Sequence, residues 1–288
     1  MTTLRKHSTR YKGERKLKKF FRWGLPVLLL MIGFVTGFWV ARFSGKTLGG
    51  EPSLLPKPKV SDGPEYSRRQ PVSPDLVKLF PKAITRRGNP KITSLALTFD
   101  DGPDLKYTPK ILDILKEHHV KATFFVVGTQ VVKYPEVFRR IIREGHEIGN
   151  HGYQHLKICE LPADKIKYQL RQDDQIIRRF GGKPAMIFRP PYGALDPASV
   201  ETISKLGYHI ILWTIDSLDW RGLKEREILT NVVPKLNRGN IILQHCAADS
   251  KQEDLRGSHE ALPEIIHDGK LHGYHFVTIS QMLAEGKP

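Results

Sequence analysis

The run ITSLALTFDDGP, Ile92 to Pro103, is followed by TPKILDILKEHH (Thr108 to His119) and then by KATFFVVG (Lys121 to Gly128). The first and third segments are short and rich in β-branched and aromatic residues, whereas the one between them has a helical pattern. The alternation continues through PEVFRRIIREG, HEIGN, a helical stretch from Pro162 to Phe180, MIFRP, PASVETISKLG and YHIILWTI. It closes with KEREILTNVVPKL, NIILQH, HEALPEIIHDGK and YHFVTI. In the long helical stretch Ile166, Leu170, Ile176, Ile177 and Phe180 recur at helical spacing. Strands that alternate with helices form right-handed βαβ units on a parallel sheet. About seven such units in roughly 200 residues predict an α/β fold, an incomplete or distorted (β/α) barrel. A doubly wound open sheet is the structural alternative, since alternation alone does not decide closure.

Upstream of this region the composition changes. Of 46 Lys/Arg and 30 Asp/Glu, residues 1–90 hold 19 and five, so nearly all of the net charge of +16 lies there and residues 91–288 are close to neutral. A nucleic-acid-binding domain carries its charge on the folded body, so this distribution argues against nucleic acid as a partner. Residues 1–22 hold nine of those cations and one acid, Glu14. Residues 23–41, Trp23 to Ala41, then run without a charge. Nineteen helical residues span about 28 Å, close to the hydrocarbon thickness of a bilayer. The expected organisation is a basic cytoplasmic segment, a transmembrane helix, a Pro-rich linker over 42–90 and an extracytoplasmic folded domain over 91–288. A cleaved signal peptide is the rival reading. It is disfavoured by the length of the apolar run and by the lack of an A-x-A-like site after it. Two cysteines, Cys159 and Cys246, are too few for a disulfide framework, and are expected to be small buried residues or a single pair.

Unusual polar residues gather at the C-terminal ends of the strand runs. LALTF ends in Asp100-Asp101-Gly102-Pro103, HEIGN in His151 with His155 four residues on, and MIF in Arg189-Pro190-Pro191-Tyr192-Gly193. ILWTI ends in Asp216, followed by Asp219-Trp220, and NIIL ends in Gln244-His245. In a parallel barrel these ends converge on one face, where catalysis is built from several strands.

An HxxxH spacing aims two imidazoles at one point. With Asp101, His151 and His155 supply two nitrogens and one oxygen and leave a position open for water. A divalent metal lowers the pKa of bound water from about 15.7 to about 7, a shift worth roughly 12 kcal/mol. Asp100, adjacent to Asp101 and pointing elsewhere, is a candidate general base, and Arg189 its natural partner. His245 is a candidate general acid, with Asp216 as the carboxylate that accepts its hydrogen bond. Taken alone, DDGP is a common turn and HxxxH a common surface pair; five such groups on five strand ends are harder to attribute to folding.

These residues, in this order, resemble the polysaccharide deacetylase family, the NodB homology domain or carbohydrate esterase family 4. The similarity runs from about Ile92 to Leu283 and rests on TFDDGP, HGYQH, RPPYG, DSLDW and LQH. It implies a zinc or similar divalent ion, cobalt among them, held by Asp101, His151 and His155. It also implies Asp100 as base positioned by Arg189, and His245 as acid tuned by Asp216. By the same resemblance the Tyr192 backbone N–H stabilises the oxyanion, and Trp220 and Leu243 line the acetyl pocket. One departure stands out: Gly152 occupies the place where the family usually has Ser or Thr, so a hydroxyl that braces the metal loop is absent.

The expected activity is metal-dependent removal of acetyl groups from an amino-sugar polymer, with peptidoglycan favoured by the membrane anchor. A tether of about 45 residues reaches on the order of 35–40 Å as a coil, which suits a substrate just beyond the membrane. Chitin oligomers, xylan esters, a small-molecule amidase, an iron oxygenase and an inactive wall-binding homologue are the alternatives. Retention of both Asp100 and His245 argues against the last, and an oxygenase needs neither a second aspartate nor an acid histidine.

Overall fold

The computed structural model describes residues 74–183, 186–248 and 254–286. The basic segment 1–22, the apolar run 23–41 and most of the linker therefore lie outside the described residues. Among the described residues no helix is long and apolar enough to cross a membrane.

Nine strands are present in this part: β1 (Ile84–Thr85), β2 (Ser94–Asp100), β3 (Thr123–Val126), β4 (Glu147–Asn150), β5 (Ile187–Phe188), β6 (His209–Ile211), β7 (Ile215–Asp216), β8 (Ile241–His245) and β9 (His275–Phe276). All pair in parallel, in the order β1-β6-β5-β4-β3-β2-β8-β7, with β9 attached to the start of β2. All seven residues of β2 are buried, as befits the central strand of a sheet covered on both faces.

Period-two alternation sorts the side chains of this sheet. Leu97, Phe99, Phe124 and Val126 face outward into a cluster with residues of the helices Thr108–Glu117, Pro135–Arg143 and Arg256–Leu271. The opposite face carries Ala96, Phe125, Ile187, Ile211 and Ile241, which form a separate cluster with Ile279 and Met282 of the last helix. In a flat sheet β6 and β8 would stand five strand spacings apart, about 24 Å. Yet Ile211 and Ile241 share one cluster, and Thr214 N donates to Ile241 O at 3.0 Å. The sheet is therefore rolled around an interior layer of side chains, which excludes the doubly wound alternative. No ladder joins β7 to β1 among the described residues, so the barrel is incomplete.

Two expectations need correction. YHIILWTI is two strands: Leu212 N still donates to Thr85 O beside β1, while Thr214 N has switched to Ile241 beside β8. The chain thus crosses the open seam of the barrel at Trp213. The folded unit also starts before residue 91. Helix Pro74–Leu79 and β1 belong to it, and Leu76 and Ile84 are buried against Phe188, Ile203 and Ile210. A Pro- and Lys-rich composition conceals these short elements, because they are held by long-range packing and by the β1–β6 ladder.

Candidate active site

The register of the sheet brings the first and last motifs together. Asp100 and His245 are direct partners in the β2–β8 ladder, at the C-terminal end of both strands. They project from the interior face, since Ala96, Thr98 and Asp100 alternate with the outward Leu97 and Phe99. Arg189, just past β5, is wholly buried beneath them. Its Nη1 donates to Asp100 Oδ1 at 2.8 Å and to Thr98 Oγ1 at 2.7 Å, and its guanidinium lies 4.1 Å from the centre of the Phe125 ring. Burial pulls the Arg189 pKa down and the Asp100 carboxylate opposes that pull, so the carboxylate helps to sustain the guanidinium charge in a dry site.

Asp101, His151 and His155 converge as expected, with one potential ligand atom from each lying within 4.8 Å of the others. Asp101 Oδ1 stands 3.2 Å from His151 Nε2 and 3.0 Å from His155 Nε2. His151 Nδ1 lies 2.7 Å from the carbonyl oxygen of Arg189, which only accepts, so Nδ1 carries the proton and a neutral ring leaves Nε2 bare. A bare nitrogen then faces a carboxylate oxygen that is buried without a hydrogen-bond donor. Acceptor facing acceptor is unfavourable, and a cation between them removes the conflict. The spacings also approach the edge of about 3.3 Å of a tetrahedron with ligand bonds near 2.0 Å. Two nitrogens and one oxygen suit a first-row divalent ion, so the residues fit a metal.

The loop that presents these ligands is braced without the missing hydroxyl. Gly152 N donates to Asn150 Oδ1 at 2.9 Å and Gln154 N to Gln169 Oε1 at 2.8 Å, while Gln169 Nε2 returns to Gln154 Oε1. Gly152 has φ +82°, a conformation that strains any L side chain. Asn150 in turn donates to Asp174 Oδ1 on the helix Ala163–Arg179, so two turns of that helix fix the loop. Neither Asn150 nor Gln169 was singled out from sequence.

The partner of His245 differs from the expectation. Its Nδ1 donates to Asp219 Oδ1 at 2.7 Å, its backbone N–H donates to Asp219 Oδ2 at 2.8 Å, and Ser258 Oγ donates to the same Oδ2. Asp216 instead accepts from Leu218 N at 2.8 Å, and burial pushes its carboxyl up. The physical reason is the turn after β7: a left-handed Leu218 (φ 58°) sends Asp219 back over the end of β8. The motif offered both aspartates, and the strand-end rule favoured the wrong one. Burial works against the charged form of His245, but Asp219, then Asp101 and Asp100, outweigh it and raise the imidazole to about 9. Asp219 is correspondingly held below the ordinary carboxylate range despite its burial.

These groups open into a cleft of about 490 Å³, whose wall includes Tyr192, Trp220 and Leu243. The Tyr192 ring packs 4.7 Å from that of His155. Five non-glycine residues adopt left-handed backbone conformations among those described, and four of them, Asp101, His155, Tyr192 and Leu218, line this cleft. Each such residue costs on the order of 1–2 kcal/mol, so the strain is concentrated where the ligands and walls are aimed. Cys246 is buried beside the Asp100 carbonyl and Cys159 lies elsewhere. Both are free thiols, and no disulfide joins them.

Residues 87–211 match the family described as polysaccharide deacetylase. A peptidoglycan-N-acetylglucosamine deacetylase of Bacillus cereus is 40% identical over 193 residues, 67% of this chain and 69% of that protein. The crystal structure of the Bc1960 peptidoglycan N-acetylglucosamine deacetylase superposes with a TM-score of 0.68 at 37% identity, covering 72% of this chain and 95% of that one. A protein of Bacillus anthracis, described as a CE4 family pseudoenzyme, superposes at 0.64 with 31% identity, over 70% and 69% of the two chains. The fold alone therefore does not carry activity, and the residues in the cleft have to.

Proposed function

This chain belongs to the polysaccharide deacetylase family, and we propose that it hydrolyses the acetamido groups of peptidoglycan amino sugars outside the cytoplasm. The observation that supports this most is the direct pairing of Asp100 with His245 beside the Asp101–His151–His155 cluster. Asp101, His151 and His155 would hold a divalent ion, zinc by preference, and the chemistry it would supply there is acidification of water and polarisation of the acyl group.

The chain's own groups do the rest. Arg189 occupies Asp100 Oδ1 and fixes the plane of the carboxylate, which leaves Oδ2 to take the proton of the attacking water. Asp219 fixes Nδ1 of His245 and favours its protonated form, so Nε2 has a proton to give the departing sugar nitrogen. Water oxygen joins the acyl carbon, the carbon–nitrogen bond breaks, and acetate and a free amine result. Trp220 and Leu243 offer apolar wall for the methyl group, and the Tyr192 backbone N–H is proposed as a donor to the oxyanion. The domain organisation, with a membrane anchor at 23–41, is part of the same proposal.

Acetate release by the full chain is to be measured on peptidoglycan, chitin oligomers and acetylated xylan, with zinc or cobalt supplied. Release from peptidoglycan is expected, and silence on every glycan in the presence of metal would sink the reading.

A further inference from the structure

Three cations that no catalytic step uses line the same cleft: Arg86, Arg221 and Lys235. Arg86 follows β1, and its Nε donates to the carbonyl oxygen of Trp213 at 2.9 Å, which ties its head group to the seam of the barrel. Lys235 closes the short helix Val233–Lys235. Both side chains are exposed, and neither meets a carboxylate within ion-pair distance among the described residues. Arg221 stacks against Trp220 at 5.3 Å.

The carboxylates of the cleft are distributed differently. Asp100, Asp101 and Asp216 all stand at strand ends on the floor, and the first two are committed to Arg189 and to the metal cluster. A substrate thus meets an acidic and imidazole floor inside a basic rim. A neutral glycan offers that rim hydroxyl and carbonyl acceptors but no charge to pair with. A glycan whose acetylated sugar sits beside a carboxylate engages both regions at once, and the rim charges also raise the encounter rate.

We infer that Arg86 and Lys235 are specificity-determining residues, which pair with a carboxylate borne by the substrate next to the sugar that loses its acetyl group. The inference rests on the deacetylase reading and deepens it. Peptidoglycan carries such a carboxylate on its stem peptide or, where the peptide has been removed, on the lactyl ether of its muramic acid, which the stem otherwise holds as an amide; chitin carries none.

The test compares kcat/KM of the full chain on three glycans of equal length: neutral chitin oligomer, peptidoglycan glycan stripped of peptide, and the same glycan with its stem. For Arg86→Gln/Lys235→Gln the ratio of anionic to neutral kcat/KM is expected to fall about three- to tenfold. Arg86→Lys should keep most of it. A loss confined to the stem-bearing glycan assigns the peptide carboxylate, a loss confined to the stripped glycan assigns the free lactyl group, and a loss on both shows that either carboxylate is paired. In the unmodified chain, salt at about 1 M, where charges are screened beyond about 3 Å, should reduce the same ratio. A ratio unmoved by substitution and by salt overturns the inference while leaving the deacetylase intact. No acetate from any of the three glycans removes both.

Discussion

Arg189 and Asp100 form an ion pair in which the guanidinium is fully buried and the carboxylate only 5% exposed, at 2.8 Å. Removing one member of such a pair strands the other charge in a dry interior. Arg189→Met is expected to destabilise the fold by about 3–5 kcal/mol and to lower Tm by roughly 10 °C. Adding Asp100→Asn should recover part of the loss, although Asp100→Asn alone should cut acetate release on the order of 10²–10⁴-fold. A variant Arg189→Met that melts with the unmodified protein would contradict the pairing.

The acid step sets the alkaline limb of the pH–rate profile. His245 acts when protonated, and its folded value of about 9 keeps it so at neutral pH. Activity should therefore fall as pH rises through about 9. Asp219→Asn removes the main group that raises this value, so the alkaline limb should move to lower pH while the acid limb stays. Asp216→Asn should leave the limb nearly in place, since Asp216 makes no hydrogen bond to His245. Equal displacement by both substitutions would refute the assignment.

Metal content and loop bracing are separable. Asp101→Asn, His151→Ala and His155→Ala should each abolish stoichiometric zinc binding by calorimetry, and a chelator should stop acetate release until zinc is returned. Gln169→Ala, which touches no ligand ring directly, should weaken zinc binding by about tenfold through loss of loop support. Unaltered zinc affinity in Gln169→Ala would show that Gln169 does not hold the loop.

Acid stability depends on a histidine far from the chemistry. His146 is buried, and burial, aided by Lys121, lowers it to about 4 against an ordinary value of 6.5. The unfolded chain therefore binds more protons between these values, so stability is complete above pH 6.5 and is lost as pH falls towards 4. The loss amounts to at most about 3 kcal/mol. His146→Asn keeps an acceptor for the Ala122 N–H and removes the titration. Urea midpoints at pH 7 and pH 4.5 should converge in that variant.

What was legible in the chain follows from the range of the forces involved. The alternation around ITSLALTF and the strand-end position of Asp100, Asp101, His151, Arg189 and His245 are local patterns, and the barrel turns them into neighbours. The role of Asp219 is not local. It depends on a left-handed turn at Leu218, and leucine gives no hint of that conformation. Gln169 braces the loop from 15 residues away on a helix, where it resembles any other polar residue. Residues 74–90 look like linker because β1 has only two residues, and its ladder partner lies more than 120 positions later.

The neighbour relation between β2 and β8 also governs when the molecule becomes functional during synthesis. Strand β2 is among the first to emerge, and it has one edge open until residue 241 arrives. Contacts of such sequence separation close slowly and together. Base and acid thus come into register only when nearly the whole chain has been made. A nascent chain, or one truncated before His245, lacks the acid that this ladder sets beside the base.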